Sequence, residues 1–167
     1  MFEDTLEMKM AKIEFRENKV LKLINVLSKE VPTKGLFSHE KHVIMLQNWI
    51  KTKGYDTIGP LIMYSSSFKR SNEDLPPTID SKVMLQLKQD SIKLEKPYEF
   101  TQQIRVENCL MARFNGKDED LHYAIMKLQV FSYENNVELT GEIYIILISE
   151  GTDCFMADIF MPVKVMQ

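Results

Sequence analysis

The stretch Leu139–Gly151, LTGEIYIILISEG, sets a carboxylate, Glu142, two residues ahead of a phenol, Tyr144. In a strand that spacing points both side chains to one face. A carboxylate beside aromatic rings suits two kinds of chemistry. It can neutralise an organic cation that also lies against a ring face, an attraction of about 0.5 to 2 kcal/mol, or it can act as a general base on water. The first half of the chain offers a matching phenol. Setting GPLIMY beside LTGEIY aligns Tyr64 with Tyr144 and Ile62 with Glu142, so an isoleucine in one half answers to an acid in the other. Ile146 and Ile148 continue the Glu142 face, where a solvated strand would alternate toward polar residues. The face is read as enclosed. An enclosed carboxylate has to be protonated, hydrogen-bonded or met by a cation.

No other constellation carries as much chemistry. His39 and His42 in HEKH lack the HExxH spacing of a zinc helix, and KDEDLH lacks the spacing of a calcium loop. The acids of KDEDLH are expected to start a helix through its dipole and caps. His39 and His42 read as first-turn residues of a surface helix, His122 as a packed or exposed polar group near a helix start, and Cys109 and Cys154 as reduced thiols. A nucleophile elbow, a P-loop and a GxGxxG turn are lacking. No metal and no cofactor are expected, and an enzyme reading rests on Glu142 alone, with Tyr64 or Tyr144 orienting a substrate. The serines of YSSSF are expected to satisfy a turn at a strand end. Trp49 falls on the apolar stripe of a helix, and is read first as core and second as a ring against a ligand; Ile62 and Ile146 complete the candidate lining.

The elements that position these residues follow from periodicity. SHEKHVIMLQNWIKTKG has a helical stripe of Val43, Leu46, Trp49 and Ile50, with Ser38 to cap it and Gly54 to stop it. DEDLHYAIMKLQVFSYENN repeats the pattern through Leu121, Ala124, Ile125, Leu128 and Phe131 or Ser132. Each helix follows a long β-rich run and precedes two shorter ones, so the chain reads βαββ twice, about 9–90 and about 91–167. The polar stretch KRSNEDLPPT is expected to be an exposed hairpin loop. The expected fold is α+β: one domain over residues 1–167 in which two repeats join about a pseudo-twofold axis, two sheets flank a central cleft, and the helices pack on the sheets.

The composition excludes several classes. With 167 residues, 44% hydrophobic and 27% charged, the chain fits an ordinary globular domain without a membrane-spanning run. Its net charge of −3 gives no basis for duplex binding. The acidic start, MFEDTLEMKMAK, does not encode export, which leaves the cytoplasm as the expected compartment.

The doubled βαββ layout, GPLIMY after the first helix and E-I-Y-I after the second resemble the GyrI-like small-molecule-binding domain. This bacterial family is related in fold to SOUL-type haem-binding proteins and includes the effector-binding domains of multidrug-sensing activators. The resemblance implies that Glu142, matching the glutamate of the family's E-x-Y motif, lies in the central cleft as counter-charge to a cationic aromatic ligand, with Tyr144 completing the motif. Such effector domains usually follow a helix-turn-helix module, whereas about a dozen residues precede the first strand here. A stand-alone member is therefore expected. Such members are resembled by three activities: binding of a small organic molecule, contact with a protein partner such as gyrase, and hydrolysis of reactive electrophiles.

Overall fold

A computed structural model describes residues 12–32, 38–68, 78–150 and 155–165. The elements are β1 (Lys12–Val31), α1 (Ser38–Thr52), β2 (Thr57–Phe68), β3 (Thr78–Leu87), β4 (Tyr98–Gly116), α2 (Leu121–Glu134), β5 (Glu142–Glu150) and β6 (Phe155–Pro162). This is the βαββ order, twice. Of the loop expected at residues 69–78, Thr78 is the first residue of β3, and the rest lies outside the described residues, as do Cys154 and the side chain of Ser38.

Every strand pairing is antiparallel, and the ring order β1-β3-β2-β5-β6-β4 closes because β4 returns to β1. The two expected sheets are thus the two halves of one six-stranded barrel. Closure leaves no open edge between the halves, which would otherwise present a row of unpaired backbone groups.

Both seams are symmetric. On one, Tyr64 faces Tyr144, while Ile62 pairs with Ile146 and Ser66 with Glu142. Residues equally distant from the tyrosines therefore pair, so the pseudo-twofold passes between the rings and makes Ile62 and Glu142 equivalent positions. On the other seam Lys22 faces Arg105, flanked by Leu23 with Ile104 and Leu21 with Val106. The long strands β1 and β4 carry the same local device. Asn25 and Asn108 sit at φ 50° and 55°, a left-handed conformation that asparagine tolerates better than most residues. After each asparagine the strand buries four consecutive residues, Val26–Lys29 and Cys109–Ala112. Val26 and Cys109 join the barrel interior, and Leu27 and Leu110 pack beneath the helices.

Three apolar clusters result. Inside the barrel lie Leu21, Leu23, Val26, Ile62, Met84, Cys109, Met111, Tyr144 and Phe160. Outside, α1 buries Leu46 and Ile50 against Leu27, Val83, Leu85 and Leu87, and α2 buries Ala124 and Leu128 against Leu110, Ala112, Phe114 and Ile159. The helical stripes read from the sequence thus face the sheet.

Three expectations are corrected. The YSSSF serines do not form a turn: Ser65, Ser66 and Ser67 pair with Ser81, Asp80 and Ile79 inside β2, because strand pairing satisfies their backbone without a reversal. The acids of KDEDLH stand ahead of α2 as a separate 3-10 turn, Asp118–Asp120, with no side-chain cap bond. His42 is not simply a surface residue. It is half-buried, with Nδ1 2.6 Å from Nζ of Lys29, a β1 residue buried under α1.

Candidate functional site

The site is organised around the Tyr64–Tyr144 pair. Glu142 is the first residue of β5 and Tyr64 the eighth of β2. Their approach depends on Gly141. This residue has φ 97°, and a Cβ there would lie 2.6 Å from the Ser67 carbonyl oxygen. Only glycine permits that closeness. The Ser67 amide donates to the Gly141 carbonyl at 3.2 Å, and the Glu142 amide donates to Thr140 Oγ1 at 3.2 Å, so the entry to β5 is tied down on both sides.

Glu142 is half-buried, and its Oε1 accepts a hydrogen bond from the Tyr64 hydroxyl at 2.9 Å. Among the described residues no lysine, arginine or histidine lies within ion-pair distance of it. The Tyr64 and Tyr144 rings are 4.9 Å apart, inclined at 55°. Burial raises the Tyr64 pKa; a hydrogen bond with Ser66 opposes the rise, and Glu142 and Asp80 add to it. Burial, then the charge of Glu142, pushes the Tyr144 hydroxyl further up. Both phenols are therefore proton donors at neutral pH, which suits Tyr64 to holding an ionised carboxylate. Cys109, inside the barrel near Glu142, has its thiol pushed up to about 11, chiefly by burial.

Four of the candidate residues other than these two acid and phenol partners can be placed directly. Tyr144, Ile62 and Ile146 meet Tyr64 in the interior cluster, where Ile62 is fully buried and Tyr144 nearly so. Trp49 does not join them. It packs outside the barrel, its ring 4.6 Å from Tyr98 and 6.0 Å from Tyr55. Two neighbours were not assigned to the site from the sequence: Ser66, expected in a turn, and Asp80. Ser66 lies opposite Glu142 on one side and Asp80 on the other. The signal was the two-residue period from Tyr64 to Ser66; Asp80 needed the β2–β3 register, which no local pattern gives. Among the described residues no group of three or more histidine, cysteine, aspartate or glutamate side chains is placed to hold a metal.

No protein-family profile and no curated protein sequence matches the chain. Solved structures do match in shape. EcmrR in its DNA complex superposes with a TM-score of 0.65 at 18% identity, over 99% of this chain and 64% of EcmrR. The EcmrR C-terminal domain gives 0.62 at 16%, over 94% of this chain and 99% of that domain. A hydrolase from Listeria innocua gives 0.51 at 12%, over 98% and 97%. The fold is GyrI-like. At these identities the likeness is one of fold alone, and a fold of this kind does not fix an activity. The chain spans less than two thirds of EcmrR. Among the described residues no helix is long and apolar enough to cross a membrane.

Proposed function

We propose that the protein binds small organic cations with an aromatic or apolar body, using Glu142 as counter-charge and the Tyr64 and Tyr144 rings as the apolar contact, with Ile62 and Ile146 behind them. The observation that carries this reading is the half-buried carboxylate of Glu142. It is held by a phenol rather than neutralised by a base, at the end of an apolar interior. A hydrogen bond from a neutral donor orients the carboxylate without cancelling its charge, which is left for a ligand. The partly exposed Tyr64 ring offers the approaching cation an aromatic face.

Trp49 is left out of this site because it packs under a different surface. The hydrolase reading would use Glu142 as a general base on water with Tyr64 or Tyr144 orienting a substrate, but the Tyr64 hydroxyl is committed to the Glu142 carboxylate itself. EcmrR forms a DNA complex, but this chain corresponds to part of EcmrR and carries a net charge of −3, so nucleic acid is not among the proposed partners.

The test is a fluorescence or calorimetric titration with tetraphenylphosphonium, against neutral triphenylphosphine oxide as comparator. A cation centred about 5 Å from the carboxylate, at an effective dielectric between about 20 and 80, gains about 1 to 3 kcal/mol. Glu142→Gln should therefore weaken binding by roughly five- to 150-fold, and the neutral comparator should be weak with either protein. Equal affinity of the parent and Glu142→Gln for the cation would rule the counter-charge out.

A further inference from the structure

A second feature lies on the β1–β4 ladder. A cavity of about 280 Å³ is lined by Glu14, Arg16, Lys19, Met111 and Arg113. Its position follows from the register: Arg16 faces Met111, Glu14 faces Arg113, and β1 is irregular between Arg16 and Lys19, where Asn18 takes φ 54°. Met111, the one apolar residue of the lining, also belongs to the barrel-interior cluster.

The charges are unequal. Arg113 is clamped by the buried Asp158, its Nε and Nη2 donating to the two carboxylate oxygens at 2.8 and 2.9 Å. That pair uses two of the five guanidinium N–H groups and fixes the plane of the rest. Arg16 and Lys19 are exposed and, among the described residues, take part in no ion pair. Glu14 is the one acid in the lining. With Arg113 neutralised by Asp158, Arg16 and Lys19 stand against Glu14 alone around the cavity. Like charges held around one concavity are relieved by an anion, and a preset guanidinium beside a flexible ammonium suits an oxyanion.

We propose that this cavity binds a small organic anion. Its carboxylate or phosphate is held by Arg16, Lys19 and Arg113, and its apolar part rests on Met111. The volume is near the lower end of ligand pockets, about 300 Å³, which limits the occupant to a single ring or a short chain. This site does not depend on the cation reading of Glu142.

The test is calorimetric titration of the full chain with benzoate, phenyl phosphate, inorganic phosphate and the neutral benzyl alcohol. Benzoate or phenyl phosphate should bind at least about tenfold more tightly than benzyl alcohol, and whichever binds more tightly tells a carboxylate site from a phosphate site. Inorganic phosphate should be weaker than phenyl phosphate. Arg16→Gln and Lys19→Gln should each weaken the preferred anion by about three- to tenfold. Lys51→Gln, the same charge change on α1, should leave binding as it is, and so should Glu142→Gln. Four results would overturn the proposal: benzyl alcohol binding as well as the anions, inorganic phosphate matching phenyl phosphate, Lys51→Gln costing as much as Lys19→Gln, or no binding of either aromatic anion to the folded protein.

Discussion

Gly141→Ala perturbs the one backbone position on which the Glu142 site depends. Two costs combine. An alanine at φ 97° is held in a sparsely populated region, which costs about 1 to 3 kcal/mol. Its Cβ would also meet the Ser67 carbonyl oxygen at 2.6 Å, so β5 has to move away from β2 and weaken the Ser67–Gly141 hydrogen bond, for about 0.5 to 1.5 kcal/mol more. The total is about 1.5 to 4.5 kcal/mol. At a slope of about 2 to 3 kcal/mol per molar urea, the unfolding midpoint should fall by roughly 1 M. Far-ultraviolet circular dichroism and the fluorescence of Trp49, the sole tryptophan, can follow the transition. Gly54→Ala is the control. Gly54 sits at φ 76° with nothing within 4 Å of an added Cβ, so it carries the backbone cost without the contact. The difference between the two variants isolates the β5–β2 approach. A Gly141→Ala midpoint within about 0.2 M of the parent, the range of an ordinary surface change, would refute the argument that this glycine sets the position of Glu142.

Two further predictions concern groups away from that approach. Burial, and then repulsion from Lys29, Lys41 and His39, holds the His42 pKa below its ordinary value, while burial and then Lys41 lower that of Lys29. The unfolded chain therefore takes up protons that the folded one resists, and stability should fall as pH drops through about 6.5. His42→Asn should flatten that fall in urea midpoints measured from about pH 8 to about pH 5.5, and an unchanged slope would mean that other groups set it. The Cys109 thiol, buried and pushed up to about 11, should react with Ellman's reagent slowly in native Cys154→Ser protein and promptly after unfolding; prompt native reaction would place it outside the barrel interior.

Periodicity made the elements legible. The two-residue alternation of Tyr64 with Ile62, and of Glu142 with Tyr144, marks a shared strand face, and the helical stripes through Leu46 and Leu128 mark the faces that pack on the sheet. The alignment of Tyr64 with Tyr144 is repeated in the β2–β5 register. What depended on distant pairing was not legible. Barrel closure needs β1 against β4 and β2 against β5, contacts between residues far apart in sequence, and local propensity does not encode them. The Lys29–His42 contact stayed hidden for a related reason: a lysine followed by a glutamate looks solvated until the face switch at Asn25 turns it under α1. Trp49 shows the opposite ambiguity, since an apolar stripe fits a core and a ligand wall alike, and here its ring stacks near Tyr98.

The duplicated scaffold also accounts for where the unpaired chemistry arises. Symmetric pairs such as Leu21 with Val106 and Leu23 with Ile104 contribute equivalent apolar groups from both halves, and they close the barrel without favouring either half. At the Tyr64–Tyr144 seam the same operation would place an isoleucine opposite an isoleucine on each side of the rings. One side keeps that arrangement, Ile62 with Ile146, and the other carries Ser66 with Glu142. Two apolar residues have been replaced by two polar ones at positions that the fold does not require to be polar. Burying an acid there costs stability unless something meets its charge. Tyr64 supplies the hydrogen bond, no base among the described residues supplies the charge, and the deficit is what a cationic ligand would meet. Glu142→Ile, which restores the apolar residue on the β5 side of that pair, should therefore stabilise the barrel while abolishing tetraphenylphosphonium binding. A variant that lost stability instead would show that the carboxylate serves the fold.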